Sequence, residues 1–242
     1  MSDVSIGQTG RDATLSSALL LYSGENGAYY ATAHPIAADR VSGRPVIGAG
    51  RPLDRRALVS TLLQLDKSAA PKCEFLPANL LGVSSASVTW WCPPAHRRVF
   101  FDCKELGKRS RVVPHPGLVF QASVSGFRVY ALKESARPSP DTPLFEPPYF
   151  NTWDQGQICI GSAQVPRRIE VDAIGGWEEG FFNSAFTHPN HGGKRVAYQD
   201  GFFAFWRDML DGKFESFPLD ALVAMKGATA GRLVAGAIGG AA

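Results

Sequence analysis

The sequence predicts an α+β protein in which helices are grouped around one antiparallel sheet. Two observations predict this class. Short apolar runs bounded by turn residues fill residues 83–132, whereas segments with helical spacing lie before residue 67 and after residue 168. The order expected along the chain is a hairpin, a helix, a four-stranded antiparallel meander, a loop that contains a cysteine, and C-terminal helices.

The composition indicates one well-buried core. The chain has 242 residues, 45% of them hydrophobic, and its 25 basic residues nearly balance 22 acidic ones. A formal charge of +3 is too small to indicate a nucleic-acid binder, so no nucleic-acid partner is expected. No apolar run approaches the length of a bilayer span and the first residues carry no secretory signal. We therefore expect no membrane association and a cytoplasmic location.

We expect a single domain over residues 15–226, with a loose leader at residues 1–14 and a flexible Gly- and Ala-rich tail at residues 227–242. The domain begins with two apolar runs, residues 15–22 and 28–34, which are separated by turn residues and predict a hairpin.

A helix is predicted over residues 52–66, because Leu58, Leu62 and Leu65 recur at helical spacing. Four strands are expected to follow it and to form the meander. The runs that predict them are residues 83–91, 98–103, 118–124 and 127–132. The basic stretch at residues 104–116 is interpreted as a connection, because it contains prolines.

The segment from residue 135 to residue 151 contains five prolines, too many for a helix or a central strand, and predicts an irregular loop. Aromatic-rich segments after it predict helices over residues 169–186 and 200–210, the first with a break or a late start at Gly175-Gly176. A short helix is expected over residues 219–225.

Cys159 follows the proline-rich loop and is the candidate nucleophile. A cysteine reacts as its thiolate, which a loop at the edge of an element exposes more readily than a strand interior does. Asn151 is a candidate oxyanion donor, since a well-placed amide of this kind contributes roughly 10² to 10³ in rate. Gly156 supplies a tight turn between the two residues, and Ile158 and Ile160 anchor the segment around the thiol.

The other three cysteines, Cys73, Cys92 and Cys103, are interpreted as small core residues that stay reduced. None of the four forms a Cys-x-x-Cys pair, so we expect no metal site. No cofactor is expected either.

The segment Tyr149-Phe-Asn151, followed by Gly156-Gln-Ile-Cys159-Ile160, resembles the active-site loop of ubiquitin-conjugating (UBC) enzymes. That loop has His-Pro-Asn and then Gly-x-Ile-Cys-Leu, with the same interval of eight between asparagine and cysteine. The resemblance implies a UBC-like core with an additional N-terminal hairpin. Two departures stand out. Tyr149-Phe150 replaces the His-Pro pair that holds the loop, and Gly161 stands where the family often has an aspartate that orients a lysine.

The chain also resembles one prokaryotic UBC-like family, the PRTRC system protein B family. Part of this likeness is the segment Trp177-Glu-Glu-Gly-Phe-Phe-Asn-Ser-Ala-Phe-Thr-His-Pro-Asn190. Membership implies a bacterial protein whose partners are a ThiF-like activating enzyme, a small ubiquitin-like protein and a JAB-type metallopeptidase. The activity implied is thioester transfer through Cys159 to an amine.

Two further residues are candidates for this chemistry. His188 is a possible base or lysine-orienting group, although a His-Pro-Asn turn also fits a structural helix stop. Asp154 is a possible aid in lowering a lysine pKa, or a solvated loop carboxylate. Two other functions remain open: a non-catalytic scaffold that binds the ubiquitin-like protein or the activating enzyme, and a cysteine hydrolase that uses Cys159 with His188 or His191.

Overall fold

The computed structural model describes residues 15–23, 29–53, 75–161, 163–190 and 194–238, together with residues 56 and 59. The chain divides into two compact units, Met1–Glu74 and Phe75–Ala242. The single domain expected over residues 15–226 stays a prediction. The predicted leader, the hairpin turn at residues 24–27, Cys73 and the three leucines of the predicted first helix lie outside the described residues, although residues 56 and 59 are helical.

The first unit contains the predicted hairpin. Strand β1 pairs with β2 in antiparallel register from Ser17↔Pro35 to Ser23↔Tyr29. Two short strands then pair with β2, also antiparallel. The four strands are β1 (Ser17–Ser23), β2 (Tyr29–Ala38), β3 (Pro45–Ile47) and β4 (Arg51–Pro52).

The second unit is built on a six-stranded antiparallel sheet and a smaller three-stranded sheet. The order of the first is β13-β11-β10-β9-β6-β5, and that of the second is β12-β7-β8. The strands are β5 (Leu80–Val83), β6 (Ser87–Cys92), β7 (Ala95–Cys103), β8 (Gly107–His115), β9 (Gly117–Ser123), β10 (Gly126–Leu132), β11 (Pro143–Phe145), β12 (Ala185–Phe186) and β13 (Ala224–Thr229).

The described part of this unit also contains three α-helices. These are α1 (Ile174–Phe182), α2 (Gly201–Asp211) and α3 (Ala230–Val234). Short 3-10 helices span Asp154–Gly156, Val171–Ala173 and Leu219–Ala221. Mostly antiparallel sheets with few helices confirm the α+β class.

The large sheet has a hydrophobic core on each of its two faces. Successive side chains of its central strands point to opposite faces and therefore join different cores. On β9, Leu118 and Phe120 join the core that includes α1 and α2, whereas Val119 joins the smaller core that includes α3. Phe127 and Tyr130 on β10 divide in the same way. Both central strands are therefore almost continuously apolar.

The predicted meander is wrong in its second strand. Residues 98–103 belong to β7, which pairs with β8 and β12, while β6 pairs directly with β9. The basic stretch at 104–116 is not a connection, because it contains β8. As the edge strand of its sheet, β8 tolerates Pro114 and exposed charges. The run at residues 83–91 is two strands, since Ser84 N–H bonds Ser87 O and closes a turn.

The C-terminal segments also differ from expectation. The helix predicted over residues 169–186 is α1, which is shorter than predicted and begins beside the glycine pair. The helix predicted over residues 200–210 is confirmed as α2. The segment 219–225 is a 3-10 turn that leads into β13. The tail is ordered through residue 238, since β13 pairs with β11 and Leu233 is fully buried. Residues 239–242 lie outside the described residues.

A cavity beside Cys159

The loop from Asn151 to Cys159 is a closed hairpin-like turn. Cys159 N–H donates to Asn151 O at 2.7 Å, and Thr152 and Ile158 form an antiparallel bridge. Ile158 N–H donates to Phe127 O at 2.8 Å, which attaches the returning arm to β10. The interval of eight residues is the length of this closed turn, which places Asn151 and Cys159 opposite each other beside the large sheet.

Gly156 is required where this turn passes over β10. Its φ is +74°, in the left-handed region, and a Cβ atom there would lie 2.3 Å from Val129 O. Tyr130 fixes the same approach, since its hydroxyl donates to Gln155 O at 2.7 Å. A turn so close to the sheet leaves no space for a side chain at position 156.

Tyr149 and Phe150 hold the start of the loop in the core, where both side chains are buried. The hydroxyl of Tyr149 shares a 2.7 Å hydrogen bond with His115 Nδ1, and the two rings stack. Trp206 Nε1 donates to Pro148 O at 3.0 Å. Aromatic burial thus anchors the loop at the positions that a His-Pro pair occupies in the resembling family.

Burial also perturbs the ionisation of this pair. It lowers the pKa of His115 to about 3, so the imidazole is neutral at physiological pH. It raises the pKa of the Tyr149 hydroxyl well above its ordinary value. The anchor therefore remains an uncharged hydrogen-bonded pair.

The Asn151 side chain is held by the chain segment that follows α1. Its Nδ2 donates to Ala185 O at 2.8 Å, and its Oδ1 accepts from Thr187 N–H at 3.1 Å and from the Thr187 hydroxyl at 3.0 Å. The backbone has a φ of +57°, which asparagine tolerates better than most residues do. Of the two hydrogens on Asn151 Nδ2, one is donated to Ala185 O.

A buried cation braces the same loop. Arg195, 3% exposed, pairs through Nη1 with Glu146 and donates from Nη2 to Thr152 O at 3.4 Å. Its Nη2 also lies 3.9 Å from Asp154 Oδ1. Asp154 is exposed and is not among the residues that line the cavity described next.

Cys159 opens onto a cavity of about 710 Å³. The sequence candidates Asn151 and His188 line this cavity as well. The remaining described lining residues are Ile160, Gly161, Ala163, Gln164, Val165, Pro166, Gly176, Glu179, Gly180, Asn183, Ser184, Ala185 and Thr187. The thiol is partly buried, at the point where the returning arm of the hairpin meets this space.

Helix α1 forms one wall through a face that sequence reasoning missed. Gly176, Glu179, Gly180 and Asn183 recur at intervals of three and four, which places them on one side of a helix. A Cβ at Gly176 would lie 2.8 Å from Pro166 Cγ, and one at Gly180 would lie 2.7 Å from Val165 Cγ1. The glycines therefore admit the segment that follows the cysteine, and their spacing was visible in the sequence.

The other described cysteines occupy different surroundings. Cys92 is buried and donates to Glu178 Oε1 at 3.1 Å, and burial raises the pKa of its thiol. Cys103 is partly buried against the core. Neither lines the cavity.

His188 is exposed and shares a 2.9 Å hydrogen bond between its Nδ1 and the Thr187 hydroxyl. It does not directly follow a helix, because β12 intervenes after α1. His191 lies outside the described residues.

The described residues contain no group of three or more His, Cys, Asp or Glu side chains placed to hold a metal ion. None of their helices combines the length and apolar character that a bilayer crossing requires.

The fold and the cavity define an α+β protein with a cysteine at the edge of an antiparallel sheet. The family model described as prokaryotic E2 family D matches residues 54–225, more than two thirds of the chain. The protein belongs to this family. Because E2 denotes ubiquitin-conjugating enzymes, membership supports a bacterial, ubiquitin-conjugating-like role. No curated protein and no solved structure matches the chain. The fold is compatible with an E2-like fold, while the detailed UBC layout stays a prediction.

Substituting Gly156 by alanine is expected to destabilise the protein more than the same change at Gly107. Both glycines have a φ near +70°, but a Cβ at Gly107 would meet nothing within 4 Å. The left-handed backbone costs roughly 1 to 2 kcal/mol at either position, and overpacking against Val129 O adds roughly 1 to 3 kcal/mol at Gly156 alone. Urea unfolding measures the difference. Equal losses of unfolding free energy in the two variants would contradict the close approach.

The buried His115 is expected to make the protein sensitive to acid. Its folded pKa lies below the ordinary value of about 6.5, so the unfolded chain binds the proton more readily, and stability is lost as pH falls from 6.5 toward 3. Between pH 7 and pH 5 the loss is about 2 kcal/mol. In His115→Phe this part of the pH dependence should disappear from the unfolding free energy. The control is His188→Phe, which replaces an exposed imidazole and should leave the pH dependence due to His115 unchanged.

Proposed function

We propose that this protein carries a ubiquitin-like protein as a thioester on Cys159. The observation that supports this most directly is the hydrogen bond between Cys159 N–H and Asn151 O, which sets a candidate oxyanion donor beside a thiol on a 710 Å³ cavity. The family match supports the general role. The supplier of the thioester is a ThiF-like activating enzyme, and the final acceptor is an amine.

Transfer proceeds in two steps. The Cys159 thiolate attacks the thioester carbonyl on the activating enzyme, a new C–S bond forms, and the enzyme's cysteine leaves as a thiolate. An amine then attacks the Cys159 thioester, a C–N bond forms, and Cys159 leaves as a thiolate. Because the carbonyl is already activated, the first step needs only partial ionisation of the thiol and no dedicated base.

Asn151 stabilises the tetrahedral oxyanion in both steps. Its Oδ1 and one hydrogen of Nδ2 are committed to residues 185–187, which fixes the plane of the carboxamide. The second Nδ2 hydrogen has no acceptor among the described residues, and this hydrogen is the one proposed to meet the developing charge.

The specific system proposed is a PRTRC system, in which this chain is protein B. Its partners would be the activating enzyme, a small ubiquitin-like protein and a JAB-type metallopeptidase, in the cytoplasm. The likeness of the segment from Trp177 to Asn190 supports this assignment. An adjacent gene for a ThiF-like protein would be consistent with it.

Incubation with the activating enzyme, the ubiquitin-like protein and ATP is expected to give an adduct that thiol reductants remove. Cys159→Ala should give none, and Cys159→Ser should give an oxygen ester that resists thiols and yields to alkali. Cys103→Ala is the control, since that thiol lies outside the cavity. Binding without an adduct, unchanged in Cys159→Ala, would support a scaffold instead. Cleavage of a thioester without the activating enzyme would support a hydrolase.

Replacing Asn151 by glycine is expected to slow single-turnover discharge of the thioester by roughly 10² to 10³. Glycine keeps the left-handed backbone without strain, so the carboxamide is the main loss. The rate of Cys159 alkylation by neutral iodoacetamide should change by less than about threefold if the thiol stays in place. Thr187→Val is the control, because it removes one anchor of Asn151 and leaves the amide donor. An equal loss of discharge in that variant would mean that Asn151 acts through loop anchoring alone.

A further inference from the structure

Arg128, on β10, is a buried cation without an ion pair to any residue that the structure describes. It is 5% exposed. Its Nη1 donates to the Ser125 hydroxyl at 3.1 Å and to the Ser123 hydroxyl at 3.4 Å, and both acceptors are neutral. Arg195 is buried to a similar extent but pairs with Glu146. Removing a charge from water is costly, so Arg128 is a position where the described carboxylates leave that cost uncompensated.

The hydrogen bonds around Arg128 leave one edge of its guanidinium unused by the described residues. Ser123 Oγ donates to Gly126 O at 3.0 Å, so the Ser125 hydroxyl, 3.0 Å from Ser123 Oγ, is the donor to that oxygen. Nη1 therefore serves acceptors whose own hydrogens are committed. Nε is buried without a hydrogen-bond partner, and Nη2 donates to no described residue. These two nitrogens form one edge of the planar group.

The unused edge matches a carboxylate. Its two N–H groups are parallel and donate side by side to the two oxygens of one carboxylate, whose single negative charge equals the uncompensated charge. A phosphate monoester brings more charge and a third oxygen. The committed serine hydrogens leave no donor for that oxygen.

The surroundings of Arg128 indicate that the carboxylate belongs to a protein. On one side of β10 lies the β9–β10 turn, in which Ser125 is exposed and Val124 is 79% exposed. On the other side, Arg128 forms an antiparallel bridge with Gln157, whose carbonyl accepts from the N–H of Trp153 at 2.6 Å. Trp153 is 49% exposed. Tryptophan and arginine are the residue types that most often dominate the binding energy of protein interfaces.

We propose that Arg128 binds an acidic side chain of a partner protein, and that Val124 and Trp153 contact apolar residues beside it. The occupant is a segment with one aspartate or glutamate between apolar side chains. The proposal goes beyond the carrier function, because none of the three residues lines the cavity at Cys159 and no step of thioester transfer involves them.

Titration of the isotope-labelled protein with short peptides tests this binding by NMR. The Arg128 Nε–H resonance is identified by its loss in Arg128→Lys. The peptide acetyl-Leu-Glu-Leu-amide should shift it saturably, with half-saturation on the order of millimolar. The matched peptide acetyl-Leu-Gln-Leu-amide should not. Sodium acetate lacks the apolar contacts and should need a concentration roughly tenfold higher.

Three controls make the titration decisive. Sodium chloride at equal ionic strength should leave the resonance in place, and Arg98→Met, which removes an exposed arginine, should bind the glutamate peptide like the wild type. Val124→Ser should weaken the peptide and leave acetate unchanged. No shift with the glutamate peptide, or equal shifts with both peptides, would overturn the proposal. Acetate as effective as the peptide would overturn its protein partner.

Urea unfolding separates a binding role from a structural one. Arg128→Met keeps much of the side-chain volume and removes an uncompensated charge, so the midpoint should stay at or above that of the wild type. Arg195→Met should lower the midpoint by roughly 1 M, because it leaves Glu146 without its buried partner. An equal fall in the two variants would make Arg128 a structural brace and would overturn the proposal.

Discussion

The hydrogen bond from Cys159 N–H to Asn151 O is the constraint on which the rest of the site depends. It closes the turn, and the Ile158 bond to Phe127 then attaches that turn to the large sheet. Asn151 continues the connection into the segment after α1, through bonds to Ala185 and Thr187. The sheet edge, the cysteine and the cavity wall are consequently parts of one hydrogen-bonded arrangement. This arrangement fixes where an acyl group on sulfur would lie.

Two different kinds of support keep this arrangement in place. On one side, Tyr149 and Phe150 are buried among aromatic rings and need no charge, since the His115 partner of Tyr149 stays neutral. On the other side, Arg195 is a buried cation that pairs with Glu146 and bonds Thr152 O. An unpaired buried charge carries a large desolvation cost, and these two partners compensate that cost for Arg195 while they connect it to the loop.

The sequence predicted the α+β class, the hairpin, α2 and the register of Asn151 and Cys159, because each follows from local pattern or from an interval. The irregular loop predicted over residues 135–151 is wrong at β11, an interior strand that pairs with both β10 and β13. A proline is accommodated there because Pro143 is the first residue of the strand. It did not predict the path of β7 and β8. An edge strand with exposed arginines and a proline has the composition of a connection, and only its pairing partner distinguishes the two. The ordered C-terminal segment was missed for a related reason. Alanine and glycine suggest a flexible tail until Leu233 is seen to cover the far face of the sheet. The cavity-lining face of α1 was missed because its importance comes from bordering the same cavity as a cysteine that precedes it in the chain, although its glycine spacing was visible.

The aromatic anchoring of the loop has a consequence for how a partner would bind. A segment whose first residues are buried in the core cannot become disordered by itself, since exposing Tyr149 and Phe150 would disrupt the packing around Trp206 as well. The conformational entropy of the loop is therefore already lost on folding. Binding of an incoming protein then carries no further cost for ordering the loop. If the proposed carrier function holds, such a preorganised surface would suit rapid, repeated handover between successive partners, because neither association nor release would have to wait for the loop to reorganise.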